Sequence, residues 1–199
     1  MDLILGDFTS PDLMGLINGG SLAHATMTSV DTLFPAYDQR VYFEQFLAPF
    51  FIDIDGDGKR DLVVAPNSTS LAENAHGVWY YRNMGTDAAP VFHFQQDDLF
   101  QRDMIEVGEG AFPVLFDYDG DGLMDILVAN EGYYQTGGSY LGRIAVLRNT
   151  GSATQPAFDE VTDNYMQLDT LGLGPGIYPA FGDLDGDGRP DMVLGDLSG

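Results

Sequence analysis

The chain contains no cysteine, which excludes disulfide bonds, thiol catalysis and metal sites built from cysteine. Basic residues are also scarce: 8 lysines and arginines stand against 31 aspartates and glutamates, for a formal net charge of −23. A nucleic-acid interface needs clustered lysine and arginine to neutralise phosphates, and an anionic membrane surface attracts the same residues. We therefore expect no nucleic-acid partner and no binding to an anionic membrane.

Long apolar stretches are missing as well. No run approaches the roughly 20 apolar residues of a membrane helix, so we expect no membrane insertion, and no window predicts an amphipathic helix of three turns. The first residues lack the basic and apolar regions of a signal peptide, so we expect any export signal to lie outside this chain. The chain does contain 13 phenylalanines, 10 tyrosines and many short apolar runs, which predict a packed core of strands.

An acidic nine-residue pattern, Asp-x-Asp-Gly-Asp-Gly-x-x-Asp, occurs three times. We name these copies the first, second and third acidic loops: residues 53–61, 117–125 and 183–191, which begin 64 and 66 residues apart. An aromatic or apolar run precedes each copy and another apolar run follows it. Each loop is therefore expected to join two strands of one repeated unit.

A second marker keeps the same period. The sequence Arg-Asn-x-Gly begins at Arg82 and again at Arg148, 66 residues later, and Asn18 takes the equivalent place 65 residues before Asn83. The segment that begins at Asp2 reads like the segment that follows the third acidic loop. We therefore expect Asp2 to be the last residue of a fourth loop.

These periods predict an all-β fold of β-propeller blades, with about three four-stranded antiparallel units of about 65 residues. The expected units are residues 2–60, 61–124 and 125–190, followed by an extra strand at 191–199, within one repeat segment that covers residues 1–199. A closed propeller needs about four to eight blades. We therefore expect a segment of a larger propeller, with open blade ends through which chains can self-associate.

The acidic loops have the ligand spacing of a calcium site. A tight loop turns the carboxylates at positions 1, 3, 5 and 9 toward one centre, as at the start of an EF-hand loop. Glycine at position 6 permits the sharp turn, and position 7 offers a backbone carbonyl. Because all of these donors are oxygens, zinc and copper are disfavoured, and calcium fits better than magnesium.

The sequence therefore predicts three Ca²⁺ sites. An EF-hand proper is not expected, because strands flank the loops and position 12 is not glutamate. The alternative is a plain Asp-Gly turn that is acidic for solubility, which three identical copies disfavour. The predicted metal ligands are Asp53, Asp55, Asp57, Lys59, Asp61, Asp117, Asp119, Asp121, Leu123, Asp125, Asp183, Asp185, Asp187, Arg189 and Asp191.

Other chemistry has weaker signals. The chain's three histidines are scattered, with none in an acidic loop, and no nucleophile or phosphate-binding motif occurs, so we expect no enzyme activity. The aromatic runs Trp79-Tyr80-Tyr81 and Tyr133-Tyr134 are compatible with sugar stacking, although alternating aromatics in strands are more often core. Paired carboxylates for glycoside hydrolysis also remain open, but 12 of the 31 acidic residues lie in the acidic loops.

The three loops, the Asp61–Pro66 segment and the Arg-Asn-x-Gly segments resemble the FG-GAP repeats of integrin α-subunit propellers. They are more similar to the related VCBS-type repeats of secreted bacterial surface proteins, and the resemblance covers essentially the whole chain. It implies calcium bound between two strands of a blade, an extracellular or cell-surface location, and a structural, adhesion or ligand-binding role toward a protein or glycan. The alternative is a carbohydrate-binding or carbohydrate-degrading, lyase-like module, since some lectins and lyases use similar propellers.

Overall fold

The computed structural model describes residues 2–21, 23–44, 46–68, 73–135 and 137–197. Within these ranges the chain forms fifteen short strands and one short 3₁₀ helix, Tyr165–Leu171. The strands are β1 (Leu3–Leu5), β2 (Met14–Asn18), β3 (Met27–Asp31), β4 (Leu47–Ile52), β5 (Asp61–Pro66), β6 (Trp79–Asn83), β7 (Phe92–Gln96), β8 (Phe112–Phe116), β9 (Asp125–Ala129), β10 (Tyr133–Gln135), β11 (Ser139–Leu141), β12 (Ile144–Asn149), β13 (Phe158–Thr162), β14 (Tyr178–Gly182) and β15 (Asp191–Gly195). Their pairings are antiparallel, which confirms the predicted all-β fold. Among the described residues, no helix is long and apolar enough to cross a membrane.

The chain divides into two compact units, Met1–Met104 and Ile105–Gly199. The first unit contains a three-stranded sheet in the order β1-β2-β3 and a four-stranded sheet in the order β4-β5-β6-β7. The first acidic loop joins β4 to β5, as predicted. Because β5 is a central strand, Leu62, Val63 and Val64 are all buried, which explains its continuous apolar run.

The second unit contains a four-stranded sheet in the order β13-β12-β9-β8 and a two-stranded sheet of β14 and β15. The second acidic loop joins β8 to β9, and the third joins β14 to β15. The rings of Phe116 and Phe181, at the ends of β8 and β14, stack at 4.2 Å between centroids. The extra strand predicted at 191–199 corresponds to β15. The last two residues of that range, Ser198 and Gly199, lie outside the described residues.

Two elements of the second unit were not predicted from the sequence. A small hairpin of β10 and β11 lies between β9 and β12, and the 3₁₀ helix follows β13. Leu168 of that helix is 3% exposed and packs in the core with Leu127 and Ile144. Leu168 is the only buried residue of this helix, and one buried position leaves no periodic signal in the sequence.

The aromatic run on β6 belongs to the core. Tyr80 and Tyr81 are 8% and 0% exposed, and the Trp79 ring packs against the rings of Phe43 and Phe94. The core interpretation of Tyr80 and Tyr81 is therefore confirmed.

Candidate metal centres

Each acidic loop is shaped by its own backbone. In the first loop, Asp53 accepts hydrogen bonds from the N–H groups of Gly56 at 2.8 Å and Gly58 at 2.9 Å, one on each carboxylate oxygen. The same pair of bonds measures 2.8 and 3.1 Å in the second loop and 2.7 and 2.9 Å in the third. The three loops therefore share one conformation, which their shared sequence dictates.

The glycine at position 6 of each loop has a left-handed backbone, with φ between +83° and +85° at Gly58, Gly122 and Gly188. An added Cβ at Gly122 would meet no atom within 4 Å. Backbone conformation, and not space, is therefore the reason for glycine at this position.

Replacing this glycine should destabilise the second unit through the backbone alone. We expect Gly122→Ala to lower the free energy of unfolding by about 1–2 kcal/mol, the cost of a left-handed non-glycine residue, in urea denaturation followed by circular dichroism. Gly182→Ala is the matched control, because Gly182 in β14 also has room for a Cβ but no left-handed φ. It should be neutral or stabilising by about 0.4–1 kcal/mol. Equal losses in both variants would contradict the explanation.

Carboxylate oxygens converge in all three loops. Ligand atoms lie within 4.8 Å of one another in each of three groups: Asp53, Asp55 and Asp57; Asp117, Asp119 and Asp125; Asp183, Asp185 and Asp191. Clustered carboxylates repel one another, and such sets of hard oxygen donors are what a divalent cation such as calcium or magnesium prefers. The residues present therefore fit a bound divalent cation.

The other predicted ligands have different surroundings. Asp61, Asp121 and Asp187 lie outside these groups. At position 7, the Lys59 ammonium lies 3.3 Å from Asp57, and the Arg189 guanidinium pairs with Asp187. The roles of the position 7 carbonyls as ligands stay a prediction.

The aspartate at position 9 ties each of the first two loops to the third strand of its sheet. Asp61 is fully buried and accepts hydrogen bonds from Ile54 N at 3.0 Å, Asn83 N at 2.8 Å and the Tyr80 hydroxyl at 3.3 Å. Burial, followed by the negative charge of Asp61, raises the pKa of Tyr80 to about 12. Position 9 therefore has a structural role that the sequence analysis did not assign.

The same arrangement recurs in the other repeats. Asp125 accepts from Tyr118 N and Asn149 N, both at 2.7 Å, and Asp2 accepts from Asn18 N at 2.9 Å. This confirms that Asn18 and Asn149 occupy equivalent places. The repeated Asp and Asn at matching positions were the signal for this bond, since both recur with one period.

The family follows from a comparison of the whole pattern. A model of the FG-GAP-like repeat matches residues 53–128 and 117–194. The chain belongs to the FG-GAP-like repeat family. Each match begins at the first aspartate of one acidic loop and ends just beyond the next loop, so the predicted resemblance is confirmed. FG-GAP-like repeats are typical of extracellular proteins. No curated protein and no solved structure matched the chain.

An arginine faces the acidic loop in two of these FG-GAP-like repeats. The Arg82 Nε atom lies 2.6 Å from Asp55 Oδ2, and its Nη2 atom lies 3.2 Å from Asp57 Oδ2. The charge of Asp55 is the main cause that raises the pKa of Arg82 above its ordinary value. The pKa of Asp57 is lowered, chiefly by the hydrogen bond from Lys59 N. The sequence analysis had identified this arginine only as a marker of the repeat.

Two histidines form pairs away from the loops of the FG-GAP-like repeats. His93 Nδ1 lies 2.6 Å from Asp38 Oδ2, and His76 Nδ1 lies 3.2 Å from Asp97 Oδ1. The hydrogen bond with Asp97 is the main cause that raises the pKa of His76. Both partners are aspartates outside the acidic loops.

Proposed function

We propose that this chain is a calcium-stabilised segment of an extracellular β-propeller, with a structural, adhesion or ligand-binding role toward a protein or a glycan. The observation that carries the proposal is the convergence of carboxylate oxygens to within 4.8 Å in three loops of one conformation. The membership in the FG-GAP-like repeat family supports the extracellular setting.

Calcium is the proposed ion because of the donors and their flexibility. The aspartates at positions 1, 3, 5 and 9 would hold it, with the carbonyl at position 7. Calcium accepts 6–8 oxygen ligands in adaptable geometry, whereas magnesium requires a strict octahedron and retains its water. When bound, the ion supplies positive charge that offsets the repulsion between these carboxylates. Its role is therefore stability of the blade, with no catalytic step.

The number of ions bound should follow the number of intact loops. We expect the wild-type chain to bind three calcium ions and each of Asp55→Ala, Asp119→Ala and Asp185→Ala to bind two, because each substitution removes the position 3 ligand of one loop only. Repeats contact mainly their neighbours, so the remaining sites should keep their affinity. Isothermal titration calorimetry measures both quantities.

The control for this titration is Asp103→Ala, since Asp103 is an exposed acid outside the loops. It removes the same charge and should leave the stoichiometry at three. If the loop variants behave like Asp103→Ala, calcium does not bind in the loops and the proposal is wrong.

A further inference from the structure

We infer that Arg82 and Arg148 are built-in counter-cations, which hold the first and second acidic loops in shape when no divalent cation is bound. This inference rests on the proposed function, because it concerns how these residues act toward the calcium ion. Neither arginine is a proposed ligand. Both act as positioning residues through the aspartates at positions 3 and 5.

The same bridge occurs in both loops. Arg82 spans Asp55 Oδ2 and Asp57 Oδ2 at 2.6 and 3.2 Å. Arg148 spans the equivalent atoms of Asp119 and Asp121 at 2.6 and 3.5 Å. In each case Nε faces position 3 and Nη2 faces position 5. The arrangement therefore occurs in two separate sheets, once in each of two repeats.

The backbone aims each arginine at the loop. The residue that follows Arg82 is Asn83, whose N–H donates to Asp61 at 2.8 Å and whose side-chain amide donates to the carbonyl of Arg60 at 3.0 Å. These bonds fix the end of β6 against the loop. Because Asn83 is held through both its backbone N–H and its side-chain amide, the backbone of Arg82 is fixed beside positions 3 and 5.

The carboxylates at positions 3 and 5 are oriented by backbone N–H groups of the loop itself. Asp55 Oδ1 accepts from Asp57 N at 3.1 Å, and Asp57 Oδ1 accepts from Lys59 N at 3.0 Å. The guanidinium lies on the other oxygen, Oδ2, of both residues. Because the nitrogens of a planar guanidinium form a rigid fork, Nη2 of Arg82 donates a hydrogen bond to Asp57 Oδ2 while Nε lies beside Asp55 Oδ2 as an ion pair. Each carboxylate is therefore held from two directions.

The charge balance predicts which state the arginine stabilises more. Without a divalent cation, the guanidinium is the positive charge that contacts the carboxylates at both positions 3 and 5, with the Lys59 ammonium beside position 5 of the first loop, so its attraction is largest in this state. Once calcium binds, the ion supplies that charge and repels the arginine. The arginine should therefore stabilise the calcium-free protein more than the calcium-loaded protein, and lower the affinity of its loop for calcium.

The third loop contains a different ion pair. In the part of the chain that the structure describes, its position 5 aspartate, Asp187, pairs with Arg189 of the loop itself. This arginine is 83% exposed, compared with 40% for Arg82 and 43% for Arg148. An exposed ion pair within one loop contributes little to stability.

The test compares melting temperatures in excess EDTA and in excess calcium for the wild type, Arg82→Gln and Arg148→Gln. We expect the rise in melting temperature on adding calcium to be about 3 °C or more larger in each variant than in the wild type. Titration calorimetry should show about tenfold tighter calcium binding at the altered loop. Arg102→Gln is the matched control, because Arg102 pairs with Asp98 outside the acidic loops, and it should leave the calcium response unchanged.

A conservative variant separates charge from structure. Arg82→Lys keeps the charge but loses the fork, so its calcium response should lie between those of the wild type and Arg82→Gln. It also serves as the measurable variant if Arg82→Gln does not fold in EDTA. An equal loss of stability with and without calcium, or weaker calcium binding, would overturn this inference alone. A wild-type protein with no calcium response would instead overturn the proposed function.

Discussion

Removal of calcium should lower the melting temperature of the protein by about 15 °C or more. A ligand that binds only the native state adds about 2.7 kcal/mol of stability per site at a hundredfold excess over Kd, or about 8 kcal/mol for three sites. The whole net stability of a domain is typically about 5–15 kcal/mol, and each 1 kcal/mol shifts the melting temperature by about 2–4 °C at this chain length. Calorimetry in calcium and in excess EDTA measures the shift.

The two compact units contain different numbers of acidic loops. One loop lies in the unit Met1–Met104 and two lie in the unit Ile105–Gly199. If the units melt separately, the transition of the second unit should shift more. Added calcium should restore the melting curve, and magnesium at the same concentration should restore it less. An unchanged curve in excess EDTA, together with no calcium in elemental analysis, would refute calcium stabilisation.

Asp125→Ala should be among the most destabilising single substitutions even without calcium. The Asp125 carboxylate is fully buried and accepts from Tyr118 N and Asn149 N, both at 2.7 Å. Alanine leaves both N–H groups without this acceptor, and an unsatisfied buried donor costs about 1–3 kcal/mol. We expect the free energy of unfolding in EDTA to fall by about 3–5 kcal/mol, as measured by urea denaturation.

The matched control is Asp119→Ala in the same loop. Both substitutions remove a predicted calcium ligand, but Asp119 is exposed and meets β12 through its ion pair with Arg148. The backbone N–H groups of Tyr118 and Asn149 instead donate to Asp125. In EDTA, Asp119→Ala should therefore lose far less stability than Asp125→Ala. Similar losses in the two variants would mean that the hydrogen bonds of Asp125 do not hold the blade together.

The repeat made most of this fold predictable. The spacing of the acidic loops, with the apolar runs on both sides, predicted strand pairs such as β4–β5 and β8–β9. The hairpin of β10 and β11 and the helix Tyr165–Leu171 occur once each, so no period marks them. Their formation depends on tertiary packing, such as the burial of Leu168. The local sequence pattern of one short segment does not show such contacts.

The site was predictable to a similar degree. Residue type and spacing predicted that the aspartates of each loop would cluster, because residues within one tight loop are neighbours in sequence, and their role as ligands stays a prediction. The partners of those aspartates were harder to find. Arg82 meets Asp57 across 25 residues of chain, and Asn83 meets Asp61 across 22. Such contacts depend on how strands align, and the Arg-Asn pair became interpretable only once the β5–β6 pairing was known.

The bond between position 9 and the third strand also decides how much chain must be moved to transplant one of these loops into another protein. A nine-residue insert would carry the carboxylates but would leave behind the asparagine N–H and the arginine that orient them. The smallest portable piece runs from 53 to 83 in one repeat and from 117 to 149 in the other, since only those lengths include Asn83 and Asn149. A sequence search or a protein design that treats the nine residues as the whole site would therefore omit the asparagine and the arginine of the third strand.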